Sequence, residues 1–263
     1  VGKFGDFAIG SFSLGKCIAS LIGGFVMTDN KIFHEKIKSY CHKDLKEPKK
    51  KFLLKFGYGQ LMLSIATSKY FFNLITRTIF SLLSKLNPGK LKEIHHPKYY
   101  YKELHKQSFY ENPPLLREFW PDDIYSYFTD LQAELALVTF RRLEAGFNKR
   151  RELAKTLLTN LNSEIKNSLP SAILDIRNCV YYHFPIYVHK DVEKFQHYML
   201  RSGIDVVGYA LPINSDEKVF HSFKQNLPFA KQIKENTTFL PIHDDYSNKD
   251  MVSMAKIVNQ YFS

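Results

Sequence analysis

From about residue 180 to the end, short apolar strands alternate with amphipathic helices, and no other feature constrains the fold as much. Strands are expected at 180–188, 205–210 and 237–242. Helices are expected at 191–202, with Gly203 as the stop, and near 228–235. A last helix starts at Ser247, with Asp250 three residues on as in a capping box. Such a stretch makes a small α/β domain. Upstream, Leu131, Leu135, Val138, Leu143 and Leu153 recur at helical spacing and predict one long helix from Thr129 and Asp130 to about Asn160. Near the start, a buried strand at 6–13 and another at 24–28 enclose a small-residue loop that carries Lys16 and ends in Gly23 and Gly24. A helix follows Asp29 and Asn30, either of which can cap it, and runs to about Cys41.

The net charge of +11 invites a nucleic-acid reading until it is divided along the chain. Residues 31–106 carry 17 Lys and Arg against 5 Asp and Glu, whereas 107–263 carry 18 against 19 and 1–30 two against two. The excess belongs to one segment inside a near-neutral protein, so a generally basic, nucleic-acid-coating protein is excluded. Three scattered cysteines, Cys17, Cys41 and Cys179, give neither a disulfide framework nor a zinc site and point to a reducing compartment. The opening Val1, Gly2, Lys3 has no initiator Met and no signal segment, as in a chain that was processed or is a piece of something longer.

Inside the basic segment, 43–51 reads as a solvated connector, and no acidic residue occurs from 52 to 84. Leu61, Ile65, Phe72, Ile75, Ile79 and Leu82 recur at helical spacing, opposite Lys69, Asn73 and Arg77. The longest charge-free run, 56–68, is too short to span a bilayer, which takes about 20 apolar residues. An amphipathic helix is expected, or a helical hairpin broken near Gly57 and Gly59. A loop rich in Lys, His, Tyr and Pro fills 87–121. The apolar stripe between Lys49, Lys50, Lys51 and Lys85, Lys90, Lys92 suits an anionic membrane surface, with packing on the protein itself as the other reading.

Several residue patterns carry chemistry. Lys16 follows a buried strand in a Gly/Ser loop, five residues beyond Ser11; it is either a surface lysine or a desolvated amine able to attack a carbonyl. Ser13 and Lys16 match S-x-x-K, but no Lys-Thr-Gly exists anywhere, so a penicillin-binding site is rejected. The pairs His95 with His96 and His183 with His189 lack i, i+4 spacing with a nearby carboxylate, so no metal is expected. His243, Asp244 and Asp245 read as turn residues.

Taken together, the blocks GKFGDFAIGSFSLGK at 2–16 and GGFVMTDN at 23–30 resemble the cofactor-lysine region of the DegT/StrS family. These are fold-type-I, pyridoxal-phosphate-dependent sugar aminotransferases. Collinear blocks agree. TDLQA at 129–133, RRLE at 141–144 and KRRELA at 149–154 are similar to the family's domain-linking helix. FPIYV at 184–188 with LRSGI at 200–204, and LPIH at 240–243 with SNKD at 247–250, are similar to its small domain.

The resemblance implies an α/β fold, the C-terminal part of a fold-type-I transferase with a helical insertion. Its parts are the tail of the large domain at 1–45, the insertion at 46–120, the linking helix at 121–160 and the small domain at 161–263. It implies pyridoxal 5'-phosphate as cofactor, Lys16 as the Schiff-base lysine and Ser11 as a phosphate-holding hydroxyl. Lysine rather than histidine at 16 favours transamination over sugar dehydration. A nucleotide-linked keto sugar, glutamate as donor, a role in polysaccharide or glycoconjugate synthesis, a homodimer and a cytoplasmic location, with peripheral attachment at the inner membrane face through 46–106, follow from the same resemblance and the basic stripe. Two departures stand out. The lysine comes at residue 16 rather than deep in the chain, which implies a C-terminal fragment inactive alone. Where the family has a Gly-aromatic-Asn turn whose Asn reaches the neighbouring subunit's cofactor phosphate, this chain has Asp123, Ile124 and Tyr125. Either the Tyr125 hydroxyl substitutes or the contact is lost, and a non-catalytic relative acting as a scaffold is the alternative reading.

Overall fold

A computed structural model describes residues 4–13, 16–86, 125–189, 191–206, 213–216 and 218–263. These fall into two compact units. The first takes residues up to Ala66 and from 125 to Leu143; the second takes 67–86 and everything described from Glu144 onward.

In the first unit, strands β1 (Ala8–Ser11) and β2 (Gly24–Met27) pair antiparallel, with Ser11 opposite Gly24 and Ala8 opposite Met27. Helix α1 (Lys31–Asp44) starts where the Asn30 side chain accepts the N–H groups of Ile32 and Phe33, so Asn30 is the cap. Helix α2 (Lys50–Thr67) runs straight through Gly57 and Gly59. The hairpin break expected there is absent; the interruption comes at Ser68. Two glycines cost helix propensity, but Phe56 is buried and the Gln60 amide donates to the carbonyls of Ser20 and Leu21, so tertiary contacts carry the helix past them.

In the second unit, helical residues Lys69–Phe71 pass through a π-helical turn, Phe72–Thr76, into α3 (Arg77–Leu86). The single long helix expected from Thr129 is two. Helix α4 (Asp130–Arg141) belongs to the first unit and α5 (Leu143–Asn160) follows in the second. Between them the Arg142 N–H turns to Thr139 and Phe140 instead of closing an α-helical bond. Short helices α6 (Ser163–Asn167) and α7 (Ser171–Leu174) follow, which no periodicity announced.

Strand β3 (His183–Tyr187) is shorter than expected, because Tyr181 takes a left-handed φ of 51° and its hydroxyl donates to the Ile173 carbonyl at 2.6 Å. It pairs antiparallel with β4 (Thr237–Pro241), Phe184 opposite Leu240 and Ile186 opposite Thr238. All four of these side chains are fully buried, so one face of the ribbon lies in the core while alternate residues face outward. Helix α8 (Val192–Arg201) ends at Gly203, whose φ of 87° favours glycine and beside which the Asn73 and Arg77 side chains come close. That approach accompanies the packing of α3 on α8. Helices α9 (Pro228–Asn236) and α10 (Asn248–Phe262) complete the unit, the latter opened by the Ser247 and Asp250 capping box. The strand expected at 205–210, the loop at 87–121, and His95 and His96 lie wholly or mostly outside the described residues.

Candidate functional site

The loop between β1 and β2 is closed at its base by two backbone bonds, Phe12 N–H to the Gly23 carbonyl at 2.9 Å and Ser20 N–H to the Phe12 carbonyl at 2.7 Å. Its downstream half is strapped by side chains from distant segments. The buried Ser20 hydroxyl donates to the Gln132 carbonyl at 2.9 Å, and the Gln132 amide donates to the Ile22 carbonyl at 2.5 Å. Thr139 Oγ1 accepts the Ala19 N–H at 3.2 Å and donates to the Ala19 carbonyl or to its own helix. Gln60 adds its bonds from α2. At Gly23, φ is 136° and the Phe128 ring lies where a Cβ would stand, so only glycine lets that ring reach Phe12, 5.2 Å away between centroids.

Upstream of these straps the loop stays open. Lys16 is exposed, its backbone N–H bonded to the Ser13 carbonyl at 3.2 Å. The hydroxyls of Ser11 and Ser13 are 2.8 Å apart, and Ser11 Oγ also accepts the Ser13 N–H at 3.2 Å. One lysine amine and two hydroxyls thus share one short turn. All three lie within six residues, 11 to 16.

A sequence model of the DegT/DnrJ/EryC1/StrS aminotransferase family matches residues 125–259. The chain belongs to that family. Solved structures agree on the fold across nearly the whole chain. A DegT DnrJ EryC1 StrS aminotransferase from Brucella abortus superposes with a TM-score of 0.59 at 14% identity, covering 99% of this chain and 52% of its own. Helicobacter pylori PseC, an aminotransferase involved in the biosynthesis of pseudoaminic acid, gives 0.56 at 17%, covering 100% and 54%. Bacillus subtilis ntda, solved with the bound cofactor PMP, gives 0.52 at 16%, covering 99% and 47%. The chain therefore spans about half the length of these structures and corresponds to a C-terminal portion of the family fold. No curated protein sequence matches it.

Aminotransferases of this family depend on pyridoxal phosphate. The donor set on the β1–β2 turn fits the two reactive ends of that group: a primary amine for its aldehyde and paired hydroxyls for its phosphate. Tyr125 lies outside this turn. It is 45% exposed, its carbonyl accepts the Lys46 N–H at 2.9 Å, and no hydrogen bond joins it to Ser11 or Lys16 among the described residues.

The second unit holds a charged pair that no sequence pattern revealed. Arg150, on α5, is only 9% exposed, and its Nε donates to Asp244 Oδ1 at 2.8 Å. Its guanidinium carbon lies 5.4 Å from the centroid of the Tyr182 ring. Partial burial alone would raise the Asp244 carboxyl, yet the Arg150 hydrogen bond and charge, with His243, hold it below its ordinary value. His183 is held low, by burial first and by Arg150 second. His243 and Asp245 form the turn expected of them, with Nδ1 and Oδ2 3.2 Å apart. Among the described residues no group of three or more His, Cys, Asp or Glu is arranged to hold a metal ion.

Proposed function

We propose that this chain supplies the lysine-bearing portion of a pyridoxal-phosphate-dependent aminotransferase acting on a nucleotide-linked keto sugar, with glutamate as donor, in polysaccharide or glycoconjugate synthesis. The observation that carries it is the exposed Lys16 on a turn with two paired hydroxyls, strapped from behind. Lys16 would hold the cofactor through its amine and, once that amine is released, take the proton from the substrate carbon and return it at the other end of the transfer. Ser11 would donate its hydroxyl to the phosphate, while the Ser13 N–H occupies an acceptor site on Ser11 and helps direct that proton outward. The bound cofactor supplies the electron sink that makes the substrate C–H acidic. Contacts to the cofactor ring would come from the portion of the family fold that this chain does not span.

The intact enzyme would be a cytoplasmic homodimer with its site between subunits, working near the inner membrane face, and the division at 45, 120 and 160 would separate its functional parts. Tyr125, where the family carries Asn, supports a second reading, a non-catalytic relative kept as a scaffold. One experiment separates the two. The full-length protein is loaded with pyridoxal phosphate, reduced with borohydride and digested, and the label is located by mass spectrometry. Label on the Lys16 peptide, lost in Lys16→Ala, is expected; a Lys16→Ala protein labelled as well as the parent would sink the assignment, and a parent that takes no label favours the scaffold.

A further inference from the structure

Four consecutive carbonyls of the β1–β2 loop, those of Ala19, Ser20, Leu21 and Ile22, each lie within hydrogen-bond distance of a side-chain donor from a distant segment. Thr139 faces Ala19 and Gln132 faces Ile22. The middle two share one nitrogen: Gln60 Nε2, on α2, donates to the Ser20 carbonyl at 3.2 Å and to the Leu21 carbonyl at 3.3 Å. Ser20 and Leu21 are both buried, as is Phe56 one helical turn before Gln60, and Leu21 also lies beside Gly57. Gln60 stands outside the matched residues 125–259 and outside the blocks at 2–16 and 23–30, so its contact with the loop is not supplied by the family likeness.

From Ser20 the hydrogen bonds continue to Lys16. The Ser20 N–H donates to the Phe12 carbonyl at 2.7 Å, and the Phe12 N–H donates to the Gly23 carbonyl at 2.9 Å. Phe12 is thereby tied to the arm at 20–23, and it stands between Ser11 and Ser13, whose hydroxyls are 2.8 Å apart. The Ser13 carbonyl accepts the Lys16 N–H at 3.2 Å. Deprived of the Gln60 amide, two carbonyls on buried residues would need another donor, and reaching one requires the arm to shift.

We propose that Gln60 is a positioning residue for Lys16: it fixes the arm at 20–23 and, through Phe12 and Ser13, the place of the amine. The proposal rests on the reading of Lys16 as the cofactor lysine and gives α2 a part in that site, because an amine held in one place reacts faster than one that must first find it.

The test uses the full-length protein. Gln60→Met keeps the length and the helix propensity of the side chain and removes its donor, while Gln60→Lys restores one. In the cofactor-free protein, amide exchange at Phe12 and Ser20 should quicken about tenfold in Gln60→Met and stay unchanged in β3 and β4. With pyridoxal phosphate added and borohydride applied at successive times, label should reach the Lys16 peptide about tenfold more slowly in Gln60→Met, yet to the same final extent. The extent reports the folded fraction and the rate reports placement. Gln60→Lys should recover most of both effects. Equal exchange and equal labelling rates in the parent and Gln60→Met would overturn the positioning role and leave Lys16 as the cofactor lysine. Faster exchange with an unchanged labelling rate would overturn it too, since Gln60 would then hold the arm but not the amine. So would a lower final extent together with faster exchange in β3 and β4, the mark of general unfolding. A parent that takes no label at Lys16 fails the reading of the site itself, and the role of Gln60 falls with it.

Discussion

The two units solve the problem of holding a chain in place by different physics. The second unit is a hydrophobic core: Leu153, Leu157, Phe184, Ile186, Phe195, Met199, Leu240, Met251 and Val258 are all fully or almost fully buried in one cluster. In the first, the buried apolar side chains among the described residues are Leu21, Phe56 and Ala136, and the loop that carries Lys16 is instead tied down by Gln60, Gln132, Thr139 and Ser20. Apolar packing is non-directional and tolerates small shifts, whereas a hydrogen bond sets a position. Among the described residues, the turn at Lys16 is therefore positioned mainly by hydrogen bonds, and the second unit by its own apolar core.

That contrast can be broken by substitution. Leu157→Ala opens a cavity in the second unit and should cost about 3 kcal/mol in denaturant melts, without altering the borohydride labelling of Lys16 in the fraction that remains folded. A cost under about 1 kcal/mol would show that this core is less closely packed than its burial indicates.

Arg150→Met should cost less, about 1–2 kcal/mol, because the Asp244 carboxylate it leaves behind is partly exposed and solvent screens it. It should also change the pH profile. Asp244 has a folded pKa below its unfolded one, so its contribution is present above the ordinary carboxylate range of about 3.9 and is lost as pH falls through the depressed folded value. Acid unfolding of the parent should therefore lose stability below about pH 4 that Arg150→Met never had. Superposable acid limbs in the two proteins would remove the pair from the account of stability.

Gln132→Ala should have the smallest effect on global stability, about 1 kcal/mol for the lost capping box with Thr129, but a local one on the loop. Amide exchange should quicken at residues 19–23, around Ile22, whose carbonyl the Gln132 side chain holds, and stay unchanged in β3 and β4. Unchanged exchange at 19–23 would mean that Thr139 and Gln60 hold the loop without it.

Much of this was legible in the sequence where the determinant is local. The caps at Asn30, Thr129 and Ser247 and the stop at Gly203 lie within a few residues of the ends they define. The alternation after 180 led to the α/β domain, and the blocks around Ser11 and Lys16 carried the family resemblance, because they are short runs of particular residues at close spacing. The tertiary structure decided what depends on partners far along the chain. Gln132 straps Ile22 from 110 residues away, and Arg150 meets Asp244 across 94. The same holds for the persistence of α2 through two glycines and the break at Arg142. Periodicity marks which residues are apolar but not which of them finds a neighbour; α2 buries Phe56 and leaves Leu54, Tyr58 and Leu61 outside because burial is settled by what packs against each residue.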